Sequence, residues 1–118
     1  MKIETIRENH VFARAYKKGK SSVQKSLVVY LLRDPRKDAK FRVGFTVSKK
    51  QGGAVARNRV RRMLREAVRA ALVKNPDLNQ SGVLLVIVAR TAAFDSGVKT
   101  GDLSVSLSRA LKSLGLVS

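Results

Sequence analysis

The chain has no cysteine and no tryptophan, and only one histidine and two prolines among 118 residues. Without cysteine there is no disulfide framework and no thiolate metal site, and the composition fits a reducing compartment. Acidic residues are also scarce, with eight Asp and Glu against 25 Lys and Arg, a formal net charge of +17. The acids Glu4, Glu8, Asp34, Asp38, Glu66, Asp77, Asp95 and Asp102 are scattered, and only Asp34 and Asp38 are close, on either side of a turn. A two-metal nuclease centre needs several converging carboxylates. A Ser-His-Asp arrangement would have to use His10, the lone histidine, with no supporting motif. No catalytic residue and no metal held by the protein is therefore expected. No apolar run reaches the ~18 residues of a membrane span; the longest, 83–89, is strand-sized. The first ten residues lack the apolar stretch of a signal peptide. The expectation is a small, soluble, cytoplasmic chain forming one domain over residues 1–118.

Apolar residues make up 44% of the chain, enough for one modest core and too many for a disordered tail. A charge of +17 opposes folding through self-repulsion, and it makes sense if a polyanion neutralises it. Binding to a membrane surface usually shows a basic amphipathic helix with exposed aromatics. Here the aromatics are few and most fall in strand-like segments or a first helix, so nucleic acid is the leading partner. Charge alone does not separate DNA from RNA.

Residues 9–18 read as a short helix, with Asn9 as a candidate cap and Gly19 as a left-handed residue past its end. Residues 26–33 read as a strand, 34–38 as a turn opened by Asp-Pro, and 40–48 as a second strand. In the latter Phe41, Val43, Phe45 and Val47 share one face, and Arg42, Gly44, Thr46 and Ser48 the other. The short loop between the two strands predicts an antiparallel hairpin. Ala56, Val60, Met63, Leu64, Ala67, Val68, Ala71 and Leu72 form one stripe on a helix over 54–74, ended by Asn75-Pro76. Residues 83–90 are apolar on both faces, hence a central strand. A last helix over 101–114 buries Leu103, Leu107, Ala110, Leu111 and Leu114 and stops at Gly115. The order is α-β-β-α-β-α, with room for one more short strand, and the class is α+β.

Three constellations carry chemistry. On the 54–74 helix, at ~100° per residue, Arg59, Arg62, Arg65 and Arg69 fall roughly opposite the apolar stripe. Arg61 lies near one border and Arg57 nearer the apolar side. A solvated helix face usually mixes Glu with Lys to gain pairs four residues apart. Here Glu66 is the only acid among the arginines, whose planar forks suit phosphate. Just before the helix, Ser48-Lys49-Lys50-Gln51-Gly52-Gly53 is a basic, glycine-rich break beside a helix N-terminus; it has no Walker pattern and is by itself equally a plain turn. Third, Phe12 and Tyr16 lie one helical turn apart among Arg14, Lys17, Lys18 and Lys20. They fill a core or stack on a single strand of nucleic acid, and Tyr30 poses the same choice. The polar face of Arg42, Gly44, Thr46 and Ser48 is open to an approaching chain on this reading.

These residues resemble the protein subunit of bacterial ribonuclease P. The most specific stretch is 42–65, RVGFTVSKKQGGAVARNRVRRMLR, with its Arg-x-Gly strand, Ser-Lys-Lys, glycine turn and Arg-Asn-Arg helix. Phe12-x-x-x-Tyr16, Lys18 to Ser21 and VIVAR (86–90) extend the resemblance over nearly the whole chain. Two departures are Gly53, where the family often has Asn, and an N-terminus made less basic by Glu4 and Glu8. The resemblance implies an α-β sandwich of the ribosomal protein S5 domain 2-like type, with a left-handed βαβ crossover. It implies a catalytic RNA that binds Mg²⁺ and removes the 5′ leader of precursor tRNA, with the protein as a monomeric 1:1 partner. Arg57, Asn58, Arg59, Arg61, Arg62 and Arg65 look like the helix that meets the catalytic RNA, with Lys49 and Lys50 as flanking phosphate contacts. Phe12, Tyr16 and Tyr30 look like the lining of a leader cleft, to which Arg42 adds the polar sheet face. A structural RNA binder of ribosomal type, with no role in cleavage, would share the charge and the fold.

Overall fold

The computed structural model describes residues 3–36 and 38–117; Lys37 of the expected 34–38 turn lies outside them. Four strands, β1 (Lys20–Val23), β2 (Leu27–Arg33), β3 (Arg42–Thr46) and β4 (Val83–Ala89), form one mixed sheet in the order β1-β2-β4-β3. Three helices, α1 (Asn9–Lys18), α2 (Ala54–Lys74) and α3 (Thr100–Ser113), pack on it.

The expected hairpin between the segments 26–33 and 40–48 does not form. β4 lies between them, antiparallel to β2 and parallel to β3, and β2 makes its hairpin with the short β1. The reason is burial. Six of the seven residues of β4 are buried and the seventh, Val88, is half-buried, and a strand apolar on both faces is stable only with neighbours on both edges and layers on both sides. β1, Lys-Ser-Ser-Val, has no apolar alternation and buries one residue, Ser22, so the sequence leaves room for one more short strand without locating it.

β3, α2 and β4 form a parallel crossover unit. The two sheet faces then receive unequal covers. On one, Leu27, Val29, Leu31, Val43, Leu85 and Ile87 meet Val60, Met63, Leu64, Val68 and Leu72 of α2 and Leu103, Leu107, Ala110 and Leu111 of α3. On the other, Ile6, Val11 and Ala15 meet Leu84 and Val86, with Phe12 and Tyr30 packed at the margin. The second cover is placed by the N-terminal segment, which runs along the free edge of β3: Ile6 N–H donates to the Val43 carbonyl at 2.9 Å, and Val43 N–H to the Glu4 carbonyl at 3.0 Å. That contact starts α1 beside Arg42.

Helix ends follow local chemistry in part. Gly115 is left-handed, φ 77°, and terminates α3 as expected. At α2, Asn75 closes the last turn by donating Nδ2 to the Ala71 carbonyl at 3.0 Å. At α1, Glu8 rather than Asn9 holds the cap position, without a side-chain bond, and Gly19 has φ −72°, not left-handed. Gly19 is needed for space: a Cβ there would stand 2.6 Å from the Ala15 carbonyl oxygen and 2.9 Å from that of Leu31. Both obstacles are backbone. Gly19→Ala is expected to cost about 1–3 kcal/mol by overpacking, whereas Gly101→Ala, with nothing within 4 Å, gains about 0.4–1 kcal/mol; urea unfolding of the two variants checks the contrast.

Candidate nucleic-acid interface

α1 meets β3 in three successive contacts. Arg42 Nη2 donates to Glu8 Oε1 at 2.6 Å. The Phe12 ring lies against Gly44, where a Cβ would stand 2.5 Å from Cζ. The hydroxyls of Tyr16 and Thr46 share a hydrogen bond of 2.6 Å. Each contact is four residues further along the helix and two along the strand, about 6 Å against about 6.6 Å, so one helix face tracks one strand face. The polar face of β3 is therefore not open throughout: Phe12 covers Gly44, and Arg42 is held by Glu8. Phe12 is half-buried packing, whereas Tyr16 is 44% exposed. Tyr16 also meets Tyr30 edge to face, ring centroids 5.1 Å apart at 76°, a favourable geometry for two rings. The expected cleft residues come together, with Tyr16 the exposed ring and Phe12 and Tyr30 both half-buried.

The second part of the interface begins where β3 ends. Lys49–Gln51 form one 3-10 turn, started by Ser48, whose Oγ accepts from Lys50 N–H at 3.1 Å. Lys49 and Lys50 are exposed. Gly52 packs closely, since a Cβ there would stand 3.2 Å from Ala56 Cβ and 3.4 Å from the Phe94 ring. Gly53 sits at the cap of α2 with no side-chain bond to the first turn, so the departure from Asn removes a capping group.

α2 sorts its arginines by angle. Arg61, Arg62, Arg65 and Arg69 are exposed, as is Asn58. Arg69 Nη1 donates to Glu66, one turn back. Arg57 is half-buried, toward the apolar side as its position on the helix suggested, and its Nε has no hydrogen-bond partner among the described residues. Arg59 departs from expectation. It was grouped with the arginines opposite the stripe, yet it is half-buried and its Nη2 donates to the Val98 carbonyl at 2.6 Å. It ties the start of α2 to the loop before α3. Ala56, placed in the apolar stripe, is exposed, because the first buried residue of α2 is Val60 and the preceding turn overhangs the core.

Sequence reasoning missed the parts that hold the interface together. Glu8 was read only as lost basicity, although it is the partner of Arg42. The pattern Glu8, Phe12, Tyr16 against alternate residues of β3 was available as a signal, had the packing of α1 on β3 been known. The Val98 carbonyl, 39 residues beyond Arg59, left none. Among the described residues no three His, Asp or Glu side chains gather to hold a metal ion.

The fold and this surface define an α+β protein that presents an aromatic pair at one end of a strand and exposed arginines along the helix that starts just past that end. The comparisons agree. The family model for Ribonuclease P matches residues 1–115. The chain is similar to the ribonuclease P protein component of Alkaliphilus oremlandii (35% identical, covering 98% of this chain and 95% of that protein) and of Clostridioides difficile (38% identical, covering 85% and 83%). Its fold resembles the solved RNase P protein of Staphylococcus aureus, with a TM-score of 0.80, 32% identity and coverage of 99% and 100%. The fold also resembles that of the Thermotoga maritima protein, with a TM-score of 0.73, 24% identity and coverage of 98% of each chain. The chain belongs to the ribonuclease P protein family.

Two predictions follow from the geometry. Arg59→Ala removes a charge-assisted bond and is expected to lower stability by about 1.5–3 kcal/mol, while Arg62→Ala stays within about 0.5 kcal/mol; thermal unfolding of both separates a tie from a free arginine. Glu8 titrates at about 2 instead of 4.5, held down first by the Arg42 hydrogen bond and then by Arg7 N–H. A carboxyl depressed by folding stabilises above its ordinary value and loses that contribution as pH falls through its folded value. The melting-temperature gap between the wild type and Glu8→Gln should stand above pH 4.5 and close toward pH 2.

Proposed function

We propose that this chain is the RNA-positioning subunit of ribonuclease P. It binds the catalytic RNA through the exposed cations of α2 and the turn before it. It holds the single-stranded 5′ leader of precursor tRNA along the sheet face beside α1. The observation that carries this reading is convergence on one end of β3: Tyr16 bonds Thr46, the last residue of the strand, and Lys49, Lys50 and α2 follow within a few residues. A chain lying on the tyrosine pair would leave the sheet at the end from which Lys49 and Lys50 lead to α2.

In this reading the RNA subunit holds the Mg²⁺ and hydrolyses the phosphodiester between leader and mature tRNA. The protein's carboxylates at Glu8, Asp34 and Glu66 each face an arginine and have no part in the reaction. The protein neutralises charge. Two polyanions approach only with cations between them, and arginines fixed on a helix lower the concentration of Mg²⁺ needed for the same approach. The reading puts the chain in the cytoplasm as a monomer bound 1:1 to its RNA.

The test is reconstitution with a bacterial ribonuclease P RNA and precursor tRNA. Cleavage at low Mg²⁺ is expected only with both components present; RNA binding with no effect on cleavage would point to a ribosomal-type structural role. Arg62→Ala and Arg65→Ala should each lower the salt dependence of RNA affinity by a slope of about one and lose activity mainly at low Mg²⁺; equal loss at high Mg²⁺ counts against charge neutralisation. Tyr16→Ala should weaken binding of leader-bearing precursor by about 1–3 kcal/mol and leave mature tRNA binding unchanged.

A further inference from the structure

On the side of the sheet away from α1, a groove of about 370 Å³ runs between the second halves of α2 and α3. The two helices point the same way. Arg59, near the start of α2, reaches the Val98 carbonyl just before α3, and Lys74 and Lys112, in the two last turns, line the same groove. The floor is Ala67 and Leu111, both buried, with Ala71 and Val117 half-buried beside them. The chain turns back at the left-handed Gly115, and Leu116 N–H donates to the Leu111 carbonyl at 2.9 Å, which brings Val117 to the groove. Val105, on the α3 margin, is 52% exposed. It lies in the stretch 100–108 of α3, which has no lysine or arginine in a chain that carries 25.

The groove is separate from the arginine face of α2. At ~100° per residue, Ala67, Ala70, Ala71 and Lys74 fall within about 100° of one another, and Arg62, Arg65 and Arg69 lie roughly opposite. RNA held by those arginines would leave the groove open. Among the described residues no aromatic ring lines it, so a nucleic-acid base finds no stacking platform there.

The charge around the groove is of one sign. Lys74, Arg109 and Lys112 line it and are exposed, and none of the three is ion-paired among the described residues. No carboxylate lies among its described lining residues. An apolar floor between cations is complementary to an apolar stripe between carboxylates. From Ala67 to Lys74 the groove is about two helical turns long, roughly 10 Å. The small side chains of Ala70, Ser104 and Ser108 on its walls allow a third helix axis to come close, and anchors at three- and four-residue steps are how a helix engages such a groove. A second copy of this chain is a poorer fit, because two copies at +17 repel one another.

We propose that the groove between α2 and α3 docks an acidic amphipathic helix of a partner protein while the arginine face of α2 stays free for RNA. The docking site does not depend on the leader reading.

The test titrates the full-length protein, at about 0.15 M salt to screen exposed charge, with a synthetic helix of about four turns. The peptide carries Ala and Leu along one face and Glu along both borders. Its control has the same composition, scrambled so that no apolar face forms. The amphipathic peptide should shift the backbone amide resonances of Ala70, Ala71 and Ser108, and the scrambled one should shift only the arginine face of α2. Ser108→Trp fills the groove and should abolish the groove shifts. Lys112→Glu should weaken binding about fivefold, and a peptide with one Glu replaced by Lys should restore it, a gain that a misfolded variant cannot produce. Both variants should keep wild-type cleavage of precursor tRNA in reconstituted holoenzyme. Groove amides left unshifted, equal shifts from both peptides, or variants that bind like the wild type overturn the proposal. Groove shifts that follow protein concentration without peptide, with a dimer in sedimentation, overturn it in favour of a second copy. Loss of cleavage by both variants overturns it in favour of RNA.

Discussion

The strand Val83–Ala89 has to be covered on both faces, and the rest of the molecule is arranged around that need. Its apolar side chains alternate toward two layers, so neither a hairpin nor a one-sided sheet can accommodate it. β2 and β3 satisfy its two edges. α2 and α3 cover one face completely. The other face receives only α1, ten residues or about 15 Å of helix, against about 23 Å for a seven-residue strand. The cover runs short, and the uncovered remainder is the row of Thr46, Val88, Val28 and Val23 across the four strands. The candidate interface is thus a consequence of unequal layers. A longer α1 would bury more apolar area and close the surface that the proposed function uses.

The same economy governs the arginines. A helix stripe needs only one side to pack, and the remaining positions are free to take any residue that tolerates water. Filling them with arginine raises repulsion, since Glu66 alone offsets the array locally. The structure contains that repulsion by taking some guanidiniums out of it: Arg59 is tied to a carbonyl, Arg42 to Glu8, and Arg36 to Asp34, whose side chain is only 4% exposed. Burial pushes the Asp34 carboxyl up, but the Arg36 hydrogen bond outweighs it and the net shift is downward. Exposed cations remain on α2, on α1 at Arg14, Lys17 and Lys18, and beside the sheet at Lys49 and Lys50. Removing such a charge from α2 is expected to have little effect on the free protein and, in the proposed function, a larger one on RNA affinity.

Periodicity made α1, α2, α3 and β4 legible because each is defined by its own residues: a stripe at helical spacing, or a run with no polar face. Pairing was not legible. β2 and β3 are neighbours in sequence with a short connection, and the rule that such strands pair fails here because β4, nearly forty residues later, is the more apolar strand and takes the middle. Gly19 shows the same limit. Its position after a helix fits a left-handed cap, but its real constraint is the carbonyl of Leu31, across the sheet's hairpin. Arg59 and Arg62 are indistinguishable by residue type and adjacent in the same array; only the position of Val98 separates a structural tie from a free cation. The family resemblance supplied the partner and the reaction, neither of which composition or spacing contains.

Charge on the α1 face is graded from end to end, and this gives the surface a direction. At the Arg42 end Glu8 and Asp34 each pair with an arginine, and Phe12 fills the gap over Gly44. At the Thr46 end the cations are free and the apolar row is bare. A polyanion approaching this face gains less at the closed end, where it would compete with Glu8 for Arg42 at hydrogen-bond distance. At the open end it meets both a surface for bases and unpaired charge. Glu8 therefore does more than anchor α1: by occupying Arg42 it removes one cation from the closed end of the face, where Arg14 remains exposed. In the proposed function the less basic N-terminus, through Glu8 and its hold on Arg42, then helps to set the path of a bound strand.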